Sequence, residues 1–139
     1  MSTGLMAGKR GLIMGLANDK SIAWGIAQAL AAQGAEIAFS YQGDALKKRV
    51  LPLIQSIGMS EMVECDVASD DSIDALFAHL AQTWGKIDFL VHAIGFSDKN
   101  ELRGRYVDTS RANFSMTMDI SIYSFTAVCQ RAAAMMPEG

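Results

Sequence analysis

The chain holds two cysteines, Cys65 and Cys129, and two histidines, His79 and His92, in 139 residues. Thiols that few and that far apart form no disulfide framework and, with two histidines to add, no zinc-ligand spacing. No metal site is expected, and the cysteines read as reduced thiols of a cytosolic protein. Positive charge is in deficit, 12 Lys and Arg against 15 Asp and Glu, for a net charge of -3. A nucleic-acid partner draws on a basic face, so none is expected. The one basic run, Lys47-Lys48-Arg49, falls on a predicted helix and reads as a solvated face. No apolar run reaches the ~18 residues of a membrane span. Gly8, Lys9 and Arg10 interrupt the N-terminal segment, so no signal peptide is expected either, and the expected location is cytoplasmic. Linkers, repeats and low-complexity stretches are also missing.

What is present suits one globular domain: half of the residues are hydrophobic and 19% are charged. Strands and helices alternate. Arg10 to Met14 is a short apolar run ending at Gly15. Ile22, Ile26 and Leu30 follow at a spacing of four, one stripe of a helix, and Gly34 stops it. Glu36 to Tyr41 is a second strand. Leu46, Val50, Leu53, Ile54 and Ile57 mark a second helix that ends at Gly58, with Pro52 predicting a kink or break inside it. Met62 to Asp66 is a third strand. Ser69 caps a third helix, with Asp70 and Asp71 at the positive end of its dipole. Its stripe is Ile73, Leu76, Phe77, Leu80 and Trp84, and Gly85 ends it. Phe89 to Ala93 is nearly all apolar, as a strand covered on both faces should be. After a polar segment from Gly95 to Asp108, a last helix is expected from about Thr109 to Met136. Phe114, Met118, Ile122, Phe125 and Cys129 would form its packed side, and Pro137 and Gly139 close the chain. This alternation implies an α/β fold with a doubly wound parallel sheet and right-handed crossovers.

Ligands of such sheets bind beyond the carboxyl ends of the strands. At the first end, Gly15 lets the backbone turn tightly and approach a pyrophosphate, and the next helix offers unpaired N–H groups to that anion. Ser21 stands where the helix begins, as a phosphate contact or as a plain helix cap. The spacing is not the common G-x-G-x-x-G. At the second end, Gln42 occupies the place where an acidic residue holds the ribose 2′-OH in NAD proteins, and no arginine follows to neutralise a 2′-phosphate. This leans towards NADH over NADPH; the alternative is an ordinary loop glutamine, and Lys47 and Arg49 lie too far along the helix to decide. At the third end, Asp66 can accept from an adenine amino group and the backbone beside it, at Val67, can donate to the ring; otherwise Asp66 caps the next helix. At the fourth end, the small residues and Gly95 let a nicotinamide ribose lie close to the backbone, whereas His92 reads as structural. The coincidence of four such signals at consecutive strand ends carries the argument.

These segments resemble the bacterial NADH-dependent enoyl-acyl carrier protein reductases, within the short-chain dehydrogenase/reductase superfamily. The residues concerned are Gly15-x5-Ser21-Ile22-Ala23-x-Gly25, Phe39-Ser40-Tyr41-Gln42, Cys65-Asp66-Val67, His92-Ala93-Ile94-Gly95-Phe96 and Asp119-Ile120-Ser121-x-Tyr123-Ser124-Phe125. The resemblance covers the chain in order. It implies a Rossmann-type fold in which Gly15, Ser21 and Ile22 hold the pyrophosphate and its neighbours, and Gln42 faces the adenosine ribose. Asp66 and Val67 would take the adenine, Ile94 and Gly95 would line the nicotinamide side, and Ser97 would lie at the acyl-substrate pocket. It further implies hydride transfer from NADH to an enoyl substrate carried on acyl carrier protein, and a homotetramer when full length.

Members of that family are roughly twice as long, and their catalytic tyrosine and lysine lie past the fifth strand. Residues 1–139 are therefore expected to be the N-terminal cofactor-binding part of a single Rossmann domain, incomplete in this chain, with no catalytic residue and no activity alone. Tyr106 and Tyr123 have no lysine four to seven residues later to act in their place. The sheet is expected to stop at an uncovered strand, leaving an open edge and an exposed apolar surface that favours aggregation or pairing. The competing readings are a non-catalytic dinucleotide-binding module and a doubly wound interaction domain without a dinucleotide.

Overall fold

The computed structural model describes residues 4–138; Gly139, read above as closing the chain, lies outside them. Seven elements alternate from the start: β1 (Arg10–Met14), α1 (Ile22–Ala32), β2 (Glu36–Tyr41), α2 (Asp44–Ser56), β3 (Met62–Glu64), α3 (Asp70–Thr83) and β4 (Phe89–His92). Two short 3-10 turns at Lys99–Glu101 and Tyr106–Asp108 lead to α4 (Arg111–Met118), a π-helical turn at Asp119–Tyr123, and α5 (Ser124–Ala133). The strands pair in parallel in the order β3-β2-β1-β4. The doubly wound sheet expected from the alternation is present, and the chain reverses direction across it between β1 and β4.

Alternate side chains of each strand enter opposite faces, so two cores form. Ile13, Ile37 and Phe39 pack under Ala23, Trp24 and Ala27 of α1 and Val50 and Ile54 of α2. Leu12, Met14 and Ala38 pack under Ile73, Leu76, Phe77 and Leu80 of α3 and Ala127, Val128 and Ala132 of α5. Burying each of the larger of these side chains contributes about 1.5–3 kcal/mol. Gly34, Gly58 and Gly85 all take positive φ where the sequence placed a helix stop. The Ser69 hydroxyl accepts from Ser72 N, as a cap should.

Four expectations change. Ile22 is 80% exposed, because the buried arc of α1 centres on Ala23 and Ala27, with Ile26 and Leu30 only flanking it. Helix α2 is unbroken across Pro52. That residue is exposed, so the carbonyl left without an N–H partner faces water. The long last helix is interrupted by the π-helical turn, and its packed side is a different one. Asn113, Ser124, Ala127, Val128 and Ala132 face inward, while Phe114, Met118, Ile122 and Phe125 are each more than two-fifths exposed. Small residues let α5 lie close on α3 and β4, and the π-helical turn rotates the apolar stripe outward. Finally, β4 is only half-buried along its length, since among the described residues it is the edge of the sheet.

Candidate functional site

A cleft of about 480 Å³ opens at the carboxyl ends of the strands, within the range of small-molecule sites. Gly15 and Leu16 after β1, Tyr41 and Gln42 at the end of β2, Cys65 and Val67 after β3, and Ile94 to Phe96 after β4 line it. Gly15 has φ +102, and a Cβ built on it would overlap the Ala93 carbonyl. Only glycine lets the loop after β1 cross so close to the exit of β4. The tight turn expected at the first strand end is therefore a property of the backbone.

The loop that follows is closed by Ser21. Its Oγ accepts from Ala17 N at 3.0 Å and Asn18 N at 3.1 Å. Ser21 occupies the N-cap position of α1, yet its hydroxyl bonds none of that helix's N–H groups. The alternative of a plain helix cap is thus corrected: the hydroxyl organises the loop, and the first-turn N–H groups receive no bond from it. Neither Ser21 nor Ile22 lines the cleft itself. Ser21 is bonded to Ala17, which does line it, and with Ile22 stands at a helix start that has no side-chain cap and offers N–H groups and a positive dipole to an anion.

At the second strand end Gln42 is exposed at the cleft mouth. Lys47 is nearer than its place in the helix suggested, with Nζ 5.6 Å from the ring centre of cleft-lining Tyr41. At the third, Asp66 Oδ1 accepts from Ala68 N at 2.9 Å and Asp66 N donates to Ser72 Oγ at 2.8 Å. Asp66 closes its own turn before α3, and the cap is Ser69. Cys65 and Val67, not Asp66, line the cleft. Burial pushes the Cys65 thiol up from 9.0, so it forms a neutral wall.

At the fourth end, Ile94 and Gly95 line the cleft. His92 points elsewhere: its Nε2 meets Ser124 Oγ at 2.7 Å, and its ring stands edge-on to Phe125 with centroids 5.4 Å apart. Burial pushes its pKa below 6.5, which fits the structural role read for it. Ser97 lies apart from the cleft, in a second cavity of about 420 Å³ walled by Leu102, Tyr106, Phe114 and Met118. The structure thus gathers Gly15, Gln42, Val67, Ile94 and Gly95 into one cleft, keeps Ser21, Ile22 and Asp66 at its margins, and sets Ser97 in an adjoining apolar hollow.

Strand-end reasoning missed the apolar walls Leu46 and Ile120. Leu46 was assigned to packing of α2. Ile120 arrives from the π-helical turn, far along the chain, and nothing local in the sequence marks that turn.

Residues 15–139 match the family described as enoyl-(acyl carrier protein) reductase. The chain is 64% identical over 138 residues to an enoyl-[acyl-carrier-protein] reductase [NADH] of Rhizobium meliloti, covering 99% of this chain and 51% of that protein. It matches the crystal structure of an enoyl-(acyl-carrier-protein) reductase from Anaplasma phagocytophilum in complex with NAD, with TM-score 0.95 and 56% identity, over 100% of this chain and 54% of that one. A Bacillus cereus enoyl-acyl carrier protein reductase solved with NADP+ and an indole naphthyridinone matches with TM-score 0.94 and 39% identity, over 98% of this chain and 54% of that one. The chain spans about half the length of the curated relatives it matches. With a parallel sheet, a turn at its first strand end that only glycine can make and a family match from Gly15 onward, the chain belongs to the enoyl-(acyl carrier protein) reductase family.

Proposed function

We propose that this chain is the cofactor-binding part of an NADH-dependent enoyl-acyl carrier protein reductase. The observation that carries the reading is the cleft itself: four strand ends converge on it, and Gly15 lets the chain after β1 pass against the Ala93 carbonyl where any side chain would clash. In this reading the pyrophosphate meets the loop of Gly15 and the first turn of α1, with Ser21 and Ile22 at its rim. Gln42 faces the adenosine ribose, Asp66 and Val67 take the adenine, and Ile94 and Gly95 line the nicotinamide. Ser97 and the adjoining apolar hollow take the acyl chain.

Bound NADH supplies the hydride that reduces the β-carbon of a trans-2-enoyl thioester carried on acyl carrier protein. The chain's own residues orient the cofactor and keep water from one side of it, through the apolar walls Leu16, Ile94 and Ile120. The groups that protonate the α-carbon and steady the enolate belong to the family's second half, so residues 1–139 bind cofactor without turning it over. Gln42 carries no charge, which favours a free 2′-OH over a 2′-phosphate. We further propose a cytoplasmic homotetramer as the full-length state, with no nucleic-acid or membrane partner. No helix among the described residues is long and apolar enough to cross a membrane.

The test is NADH oxidation with a trans-2-enoyl thioester, run on this chain and on a protein that extends it with the second half of a family member. Turnover only in the extended protein is expected. Absence of turnover in the extended protein, with NADH binding retained, would favour the non-catalytic dinucleotide-binding module.

A further inference from the structure

Helix α4 and the π-helical turn present a polar row, Asn113, Thr117 and Ser121, at a spacing of four. This row meets three consecutive residues at the exit of β4. Asn113, which is buried, accepts from Asp98 N at 3.0 Å through Oδ1 and donates to Ser97 Oγ at 3.2 Å through Nδ2. Thr117 Oγ1 donates to Ser97 Oγ at 3.1 Å. Ser121 Oγ accepts from Phe96 N at 3.0 Å and donates to Phe96 O at 3.2 Å. One hydroxyl thus holds both polar groups of one peptide residue, its donor and an acceptor site used together.

The turn that carries Ser121 is itself anchored. Ser124 Oγ donates to Ile120 O at 2.5 Å and meets His92 Nε2 of β4 at 2.7 Å. Ile120, between these two anchors, lines the cleft together with Ile94, Gly95 and Phe96. The Ser121 hydroxyl also lies 3.8 Å from where a Cβ of Gly95 would stand. The opposite end of the cleft, at Gln42, Cys65 and Val67, belongs to β2 and β3 and shares none of these bonds.

We propose that Ser121 is a positioning residue: it clamps the backbone of Phe96 and so sets the wall against which the nicotinamide half of the cofactor is held. The inference rests on the cofactor reading above. Ser121 touches the cleft wall and acts through it. Losing its hydroxyl therefore loosens one end of the cleft and leaves the other as it was.

The experiment compares two ligands on the 139-residue chain. NADH spans both ends, and ADP reaches only the adenosine and pyrophosphate end. Ser121→Ala is expected to weaken NADH binding about five- to tenfold, the factor that one net hydrogen bond carries, with ADP affinity unchanged. Ser121→Thr and Ser121→Val form a volume-matched pair, in which Thr should keep NADH affinity within about twofold of the parent and Val should behave like Ala. This pair separates the hydroxyl from packing if the Ala variant is poorly folded. Equal losses for both ligands, or no loss for either, with parent binding intact, would overturn the inference alone. A parent chain that binds neither ligand would overturn the cofactor reading and the inference with it.

Discussion

Strands β1 and β4 lie side by side, paired from Gly11–Phe89 to Met14–His92, yet they occupy different environments. β1 is buried from Gly11 onward, with Leu12, Ile13 and Met14 fully enclosed between two helix layers. β4 is half-buried throughout, and beyond it stand α4, the π-helical turn and the start of α5 with Phe114, Met118, Ile122 and Phe125 facing out. The two regions also read differently as chemistry. The β1–β2 side owes its shape to glycine geometry and packed side chains, with the Ser21 hydroxyl closing the loop after β1. The β4 side owes its shape to side-chain hydroxyls and amides that tie a loop to a helix. A wall built from packing resists loss of one polar group, whereas a wall built from hydrogen bonds yields to it.

Removing bulk should separate the two regions first. Phe39→Ala, at a fully buried position, is expected to destabilise the chain by about 3–5 kcal/mol in urea unfolding. Phe89→Ala at the half-buried edge should lose only about 1–2 kcal/mol, in keeping with its partial burial. Equal losses would show that the edge is as enclosed as the centre. Next, Gly15→Ala combines a positive φ with an overlap on the Ala93 carbonyl, and should lower stability by roughly 2–4 kcal/mol while abolishing NADH binding. Ser69→Ala removes the α3 cap on the enclosed side and should lower stability by about 1 kcal/mol.

At the open side, Phe114→Ser with Ile122→Ser should lower unfolding free energy by about 1 kcal/mol per site, since each side chain is about half exposed. The same pair should sharply reduce self-association in light scattering, because an exposed apolar face next to an open sheet edge drives it. The smallest effect is a pH dependence. Burial holds the His92 pKa below 6.5, so the unfolded chain binds a proton more readily than the folded one. Its contribution is fully present above pH 6.5 and is lost as pH falls from there through the folded value. His92→Gln should flatten that part of the stability curve. Cys65 acts at the other extreme: its raised pKa means stability is lost as pH rises above 9.0.

The legible parts of this fold were those that local chemistry decides. Alternating apolar runs, three glycine stops and the Ser69 cap predicted β1 through α3 in order, and the strand-end rule found Gly15, Gln42, Val67, Ile94 and Gly95 on one cleft. What stayed hidden depends on neighbours. The run Phe89 to Val91 reads as a strand covered on both faces whether the next strand is present or not; the open edge is expected from the resemblance alone. The stripe Phe114, Met118, Ile122 and Phe125 has helical spacing, but a π-helical turn and a choice of small residues for the inner face turn it outward. Ser21 shows why a residue at the right place can still act differently: its hydroxyl finds the amides of Ala17 and Asn18 before any helix N–H. Ser121 stands in one of the segments that carry the resemblance, but its contact was hidden, because its partner Phe96 is distant in sequence.

The most direct test of the account is an NADH titration of this chain, followed by quenching of Trp24, which is buried in the first turn of α1. Saturable binding, lost in Gly15→Val and weakened in Asp66→Ala, is the predicted result. A chain folded by far-UV circular dichroism that shows no binding at millimolar NADH would contradict the reading of the cleft as a dinucleotide site.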